Sequence, residues 1–158
     1  MEFQMAGIGI LLLFYGCYMA KMMAQRKQGI RTDQMGRGKS GSVKRIELAV
    51  KAAAYGAFFA EAISVVLGSG CFAPPVRIAG ALAGGAGAAV FAVSVLTMKD
   101  SWRAGVSRTE ETTLVTEGVY QISRNPAFLG FDLMYLGIGV MFFHWVLFAA
   151  SVLAAVTL

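Results

Sequence analysis

Long runs of uncharged apolar residues constrain this chain more than any other feature. Residues 3–20 and 78–98 contain no Asp, Glu, Lys or Arg. A helix needs roughly 20 apolar residues to cross about 30 Å of hydrocarbon. Similar segments cover residues 48–70, 126–143 and 146–158. We therefore predict an all-α, polytopic membrane helical bundle of about five transmembrane helices, the last incomplete, within one domain covering residues 1–158.

Composition excludes several other classes of protein. Only 15% of the 158 residues are charged and 57% are hydrophobic, whereas soluble domains are about 25% charged. A disordered chain, a collagen-like chain and an ordinary soluble domain are therefore excluded. One histidine and two cysteines are too few for a zinc site, so we expect no metal.

Basic residues concentrate in two connecting segments. Residues 25–45 hold seven Lys or Arg and a single acid, and residues 99–123 add three Lys or Arg. The positive-inside rule places both segments in the cytoplasm and the N-terminus outside. The net charge of +5 is then a topology signal that also attracts anionic membrane lipids, and no nucleic acid partner is expected.

Two features inside the spans suggest particular contacts. Glu61 lies in the second span, and an ionisable group at that depth is a functional hypothesis by default. A structural hydrogen bond to a neighbouring helix, or a position near the outer interface, are equally open interpretations. Gly80, Gly84 and Ala88 repeat at four-residue spacing, which predicts close packing against the first or second span.

The segment between the third and fourth spans is unusually long. Residues 99–123 number twenty-five, whereas a simple helix connection needs only a few residues. Trp102 is expected to anchor the segment at the membrane interface. Residues 112–116 predict a short extended run, and Glu117–Gly118 predicts a turn.

The fourth span begins at a proline and presents chemically varied side chains. Pro126 suits the first turn of a helix, where its missing N–H is not needed. Phe128, Asp132 and Tyr135 share one face of that helix. Polar backbone, aromatic rings and a carboxylate are thus predicted to converge at the cytoplasmic surface, within residues 99–130.

Two linked motifs in this region resemble a known family. Leu114–Tyr120 reads LVTEGVY and Arg124–Gly130 reads RNPAFLG. These resemble the Leu-Val-Thr-x-Gly-x-Tyr and Arg-His/Asn-Pro-x-aromatic-x-Gly motifs of the isoprenylcysteine carboxyl methyltransferase family of membrane enzymes. The similarity runs from about Trp102 to Gly139, and the earlier spans match only in hydropathy. The resemblance implies an S-adenosylmethionine-dependent methyltransferase similar to protein-S-isoprenylcysteine O-methyltransferase.

The resemblance also implies a cytoplasmic site for S-adenosylmethionine. Tyr120 and Phe128 would face its sulfonium, since aromatic rings attract cations. Asn125 replaces a histidine of the eukaryotic members, as in bacterial-type relatives. No catalytic side chain or metal is assigned, because in-line methyl transfer needs mainly alignment and exclusion of water. The implied contacts are Thr112, Thr113, Leu114, Val115, Tyr120, Asn125, Pro126, Ala127 and Phe128.

The same resemblance implies a partner and a location. We expect a lipid-like or prenylated acceptor to enter from the bilayer, and a multi-pass protein of a bacterial cell membrane. Family members continue into an Arg-x-x-Glu-Glu segment, which this chain does not contain. A helix from Val146 to Leu158 would end about 10 Å short of the cytoplasm. We therefore expect the natural chain to continue beyond Leu158.

Two other functions stay open at this point. One is a truncated, non-catalytic relative that binds the methyl donor or a lipid without turnover. The other is a small multidrug-type exporter that exchanges protons for cations at Glu61. The exporter hypothesis explains the chain length and the deep acid, but it explains neither the long connector nor the paired motifs.

Overall fold

The protein is a bundle of helices, as expected from the apolar runs. The structure, a computed structural model, describes residues 1–36, 38–68, 70–103 and 115–157, without the side chains of residues 155 and 157. No strand occurs among these residues, and the all-α prediction is confirmed. The helices are α1 (Glu2–Lys27), α2 (Gly41–Leu67), α3 (Pro74–Met98), α4 (Pro126–Met141) and α5 (Trp145–Thr157), with 3-10 turns at Lys99–Ser101 and Gly118–Gln121.

Within the described residues, three of the five helices are long and apolar enough to cross a membrane. These are α1, α2 and α3, the last counted with the turn that follows it. The helices α4 and α5 have 16 and 13 residues, so they extend about 24 Å and about 20 Å. We call the end of the bundle where α1 and α3 finish and α4 begins the connector end, and the opposite end the far end.

The second helix starts earlier than its apolar segment predicts. It begins at Gly41, inside the predicted loop 25–45. Ion pairs stabilise its first turns, and a prediction from hydropathy takes no account of ion pairs. Glu47 pairs with Lys39 and also accepts a hydrogen bond from the Gly36 amide at 2.7 Å. Lys51 pairs with Asp33. The first loop is therefore folded back onto α2.

The α3–α4 contact is the closest in the bundle. A Cβ at Gly87 would lie 2.5 Å from the Met134 amide nitrogen, and one at Gly80 would lie 2.8 Å from the Gly137 carbonyl. Glycines thus let two helix backbones meet directly. The predicted partner of Gly80, Gly84 and Ala88 was α1 or α2. This is wrong for Gly80, which contacts α4, whereas Gly84 contacts both Ile10 of α1 and Gly137 of α4. Glycines on α4 supply the complementary surface, which hydropathy alone does not reveal.

Aromatic rings fill the core near the connector end. The Phe14 and Phe91 ring centroids lie 4.3 Å apart. Trp102 packs edge-on against Tyr18 at 5.3 Å and is only 5% exposed. The expectation that Trp102 anchors the interface is therefore wrong, because Tyr18 and Phe91 enclose its ring inside the bundle. The start of the connector is consequently part of the core.

Membrane orientation is the first testable prediction, and the connector end is expected to face the cytoplasm. Cysteines introduced at Ser40 and Ser107, in a Cys17→Ser background, should resist an impermeant maleimide in intact cells. The native Cys71 is exposed at the far end and should react, which makes it an internal positive control. Peptide mapping would locate the label, and reaction at Ser40→Cys or Ser107→Cys from outside would reverse the orientation.

Candidate functional site

A buried amide holds the start of the connector in place. The side chain of Gln25 at the end of α1 is fully buried and donates from Nε2 to the Trp102 carbonyl at 3.1 Å. The Thr32 hydroxyl donates to its Oε1 at 2.6 Å. One side chain thus ties together α1, the first loop and the connector. Sequence analysis missed Gln25, although its position on the face of Phe14 and Tyr18, eleven and seven residues earlier, was a usable signal.

The last part of the connector lies beside the end of α3. The turn Gly118–Gln121 packs on α3, where a Cβ at Gly118 would lie 3.5 Å from Thr97 Cγ2. Gly118 has a φ of 59°, a conformation that glycine adopts without strain. Two residues later Tyr120 is half-buried, and burial raises the pKa of its hydroxyl. The hydroxyl therefore stays protonated and available as a hydrogen-bond donor.

The α4 N-terminus lies a few residues further along the chain. Asn125 occupies the position before the helix, and its side chain makes no capping hydrogen bond. Pro126 is buried, whereas the Phe128 ring is 42% exposed. The first amides of a helix have no partner within the helix and carry partial positive charge. The α4 N-terminus thus combines polar backbone with an exposed aromatic ring.

The structure brings part of the predicted donor site into one short segment. Tyr120 lies on the turn against α3, and Asn125, Pro126, Ala127 and Phe128 form the beginning of α4. Val115, half-buried, stands at the start of the same segment. Thr112, Thr113 and Leu114 lie outside the described residues. The cofactor contacts of all nine residues remain predictions.

Comparison with known families gives one match in this region. The model of the isoprenylcysteine carboxyl methyltransferase (ICMT) family matches residues 85–158. The C-terminal part of the chain is therefore similar to the ICMT family. The ICMT match covers the connector, α4, α5 and the second half of α3, and it includes every residue predicted to contact the donor. No curated protein and no solved structure matches the chain.

Glu61 lies outside the ICMT-matched region and away from the α4 N-terminus. It is fully buried and accepts a hydrogen bond from the Tyr15 hydroxyl at 3.4 Å. Tyr135, which neighbours this pair, is nine residues, or about 14 Å, along α4 from Pro126. Of the three interpretations left open for Glu61, the structure shows a hydrogen bond to a neighbouring helix.

Loss of the Gln25 amide is expected to loosen the connector. Gln25→Leu removes the acceptor of the buried Thr32 hydroxyl, at about 1–3 kcal/mol for an unsatisfied group. It also removes one of the donors to the Trp102 carbonyl, which keeps its hydrogen bond from Arg103 Nη1 at 2.9 Å. We expect faster amide hydrogen exchange in connector peptides and a lower unfolding temperature. Gln28→Leu, the same change at an exposed position, is the matched control. Equal exchange in both variants would show that Gln25 does not hold the connector.

Proposed function

We propose that this chain is a member of the ICMT family and an S-adenosylmethionine-dependent methyltransferase that methylates a membrane-embedded amphiphile. The observation that carries the proposal is the ICMT match over the connector and α4, joined to three helices long enough to span a membrane. A soluble donor and a membrane-dissolved acceptor need a site at the membrane surface. The α4 N-terminus, at the connector end, is the part of the chain that fits this requirement.

The residues around α4 fit the chemistry of the donor. S-adenosylmethionine would supply the methyl group as an electrophile on a positively charged sulfur. The exposed ring of Phe128 and the half-buried ring of Tyr120 offer faces that attract a cation. The uncapped N-terminus of α4 attracts a carboxylate such as that of the donor's methionine part. Asn125 is exposed beside it and makes no side-chain capping hydrogen bond, so its amide can orient the ligand.

The acceptor is proposed to be a lipid-like or prenylated molecule with an anionic nucleophile such as a carboxylate. Methyl transfer is an in-line displacement, so the protein has to align donor and acceptor and exclude water. An apolar tail would remain in the bilayer while the head reaches the connector end. We place the protein in a bacterial cell membrane with this end in the cytoplasm.

Two measurements test the proposal. Calorimetric titration of the purified chain with S-adenosylmethionine should give saturable binding, which the exporter hypothesis does not predict. Transfer of a radioactive methyl group to a prenylcysteine analogue in lipid nanodiscs should then be detected. Binding without transfer would favour the non-catalytic relative, and absence of binding would overturn the donor site.

A further inference from the structure

Buried polar side chains lie at a similar distance from the far end on three helices of the bundle. Glu61 on α2 and Tyr135 on α4 each lie six residues before the far end of their helix, and Ser151 lies six residues after α5 begins there. Each is therefore about 9 Å from the far end. Glu61 and Tyr135 are at most 1% exposed, and Ser151 is 9% exposed. The interior of this apolar bundle thus contains a polar layer.

The carboxylate in this layer is incompletely bonded. Tyr15 donates to Glu61 Oε2 at 3.4 Å, a long separation for an O–H···O bond. Among the described residues, Glu61 Oε1 and Ser151 Oγ have no hydrogen-bond partner. The Tyr135 hydroxyl is close to both Tyr15 and Glu61. An unpaired carboxyl oxygen in an apolar interior is costly, so the layer is suited to a positively charged ligand.

The nearest arginine at the far end is already engaged elsewhere. Arg77 Nε donates to the Met141 carbonyl at 2.7 Å. Its guanidinium also lies 4.2 Å from the centroid of the Phe3 ring. These contacts hold Arg77 at the end of α4 rather than in the polar layer, so this side chain does not neutralise Glu61.

We propose that Glu61, Tyr15 and Tyr135 form a binding site for a small monovalent cation, such as a sodium ion. Hard cations bind oxygen ligands, and these three residues offer a carboxylate and two hydroxyls from α1, α2 and α4. One carboxylate neutralises one monovalent ion, whereas a divalent ion would leave a net positive charge in the apolar interior. The cation would join three helices and take no part in methyl transfer, so the site is independent of the proposed enzyme activity.

Asp132 marks the side from which a cation would approach. It lies three residues before Tyr135 on α4, toward the connector end. Its side chain is half-exposed, yet its Oδ1 is buried without a hydrogen-bond partner among the described residues. Because the Asp132 side chain is partly exposed at the surface of the bundle, its charge does not need a second cation inside the polar layer.

Sodium-dependent stability tests the site. The full chain in detergent would be unfolded by heat in choline chloride, with sodium chloride replacing choline at constant ionic strength. We expect a saturable rise in unfolding temperature for the wild type and none for Glu61→Gln. Tyr15→Phe and Tyr135→Phe should weaken the sodium affinity by about 2- to 10-fold, as expected for loss of one neutral ligand. The exposed variant Glu2→Gln should behave as the wild type.

Binding of radioactive sodium to the wild-type protein can be measured directly. This measurement tests the site even if Glu61→Gln fails to fold. We expect saturable binding that Tyr135→Phe weakens. Absence of saturable sodium binding would overturn the proposal. An equal temperature shift in wild type and Glu61→Gln would overturn it as well, since the effect would then come from another part of the protein.

Discussion

Replacing Gly137 by alanine is expected to destabilise the bundle severely. A Cβ there would lie 2.5 Å from Gly84 Cα and 2.6 Å from the Gly80 carbonyl. These are backbone atoms, so no side-chain rotation relieves the overlap and α3 and α4 must separate. Overpacking in cores costs about 1–3 kcal/mol and occasionally more, and we expect the upper end here. Thermal unfolding in detergent would measure the loss.

The same substitution two residues away provides the control. A Cβ at Gly139 would meet nothing within 4 Å, and alanine is favoured over glycine inside a helix by about 1 kcal/mol. Gly139→Ala should therefore raise the unfolding temperature while Gly137→Ala lowers it. Gly85→Ala is the equivalent control on α3. Shifts of the same sign at Gly137 and Gly139 would contradict the backbone contact.

The second large effect is expected on binding of the methyl donor. Tyr120→Ala and Asn125→Ala should each weaken S-adenosylmethionine binding by about tenfold, which corresponds to about 1.4 kcal/mol of lost contact. Asn125 is exposed and Tyr120 is half-buried, so both variants should remain folded. Calorimetric titration would give the affinities, and the unfolding temperatures would confirm that the fold survives.

Two further variants separate a local effect from a general one. Tyr55→Ala removes an equally large ring from α2, where Tyr55 is 58% exposed. Glu61→Gln changes the interior polar layer away from the α4 N-terminus. Both should leave donor affinity nearly intact. Unchanged affinity in Tyr120→Ala and Asn125→Ala would move the donor site elsewhere, whereas a loss in all four variants would indicate a global defect.

The apolar runs predict the helices well because span length and hydropathy are local properties. The start of α2 at Gly41 could not be predicted in this way, since Lys39 and Asp33 hold its first turns from outside the apolar segment. The uncharged run that predicts the third span begins at residue 78, yet α3 begins at Pro74. Proline fits a first helical turn, so Pro74 and Pro75 extend the helix at its N-terminus.

The candidate site was selected from a continuous motif. Tyr120 and Asn125–Phe128 are close in sequence, and the family resemblance singles them out, while their contacts with the donor stay a prediction. Gln25 was missed because its partners Thr32 and Trp102 are 7 and 77 residues away, and a lone amide has no motif. Burial of Trp102 depends on Tyr18 and Phe91, which no pattern in the connector reveals.

The short α4 also determines where the proposed reaction occurs relative to the lipid. A Cβ at Gly130 would lie 2.8 Å from the Phe91 amide, so Gly130 of α4 is level with Phe91 of α3. The helix α4 begins one turn before Gly130, at Pro126, whereas α3 continues about two turns beyond Phe91, to Met98. The α4 N-terminus, where we propose that the donor binds, is therefore recessed by about one helical turn relative to the end of α3. An amphiphile would meet the donor there without leaving the bilayer. Turnover should then follow the mole fraction of acceptor in the membrane and show surface dilution when inert lipid is added.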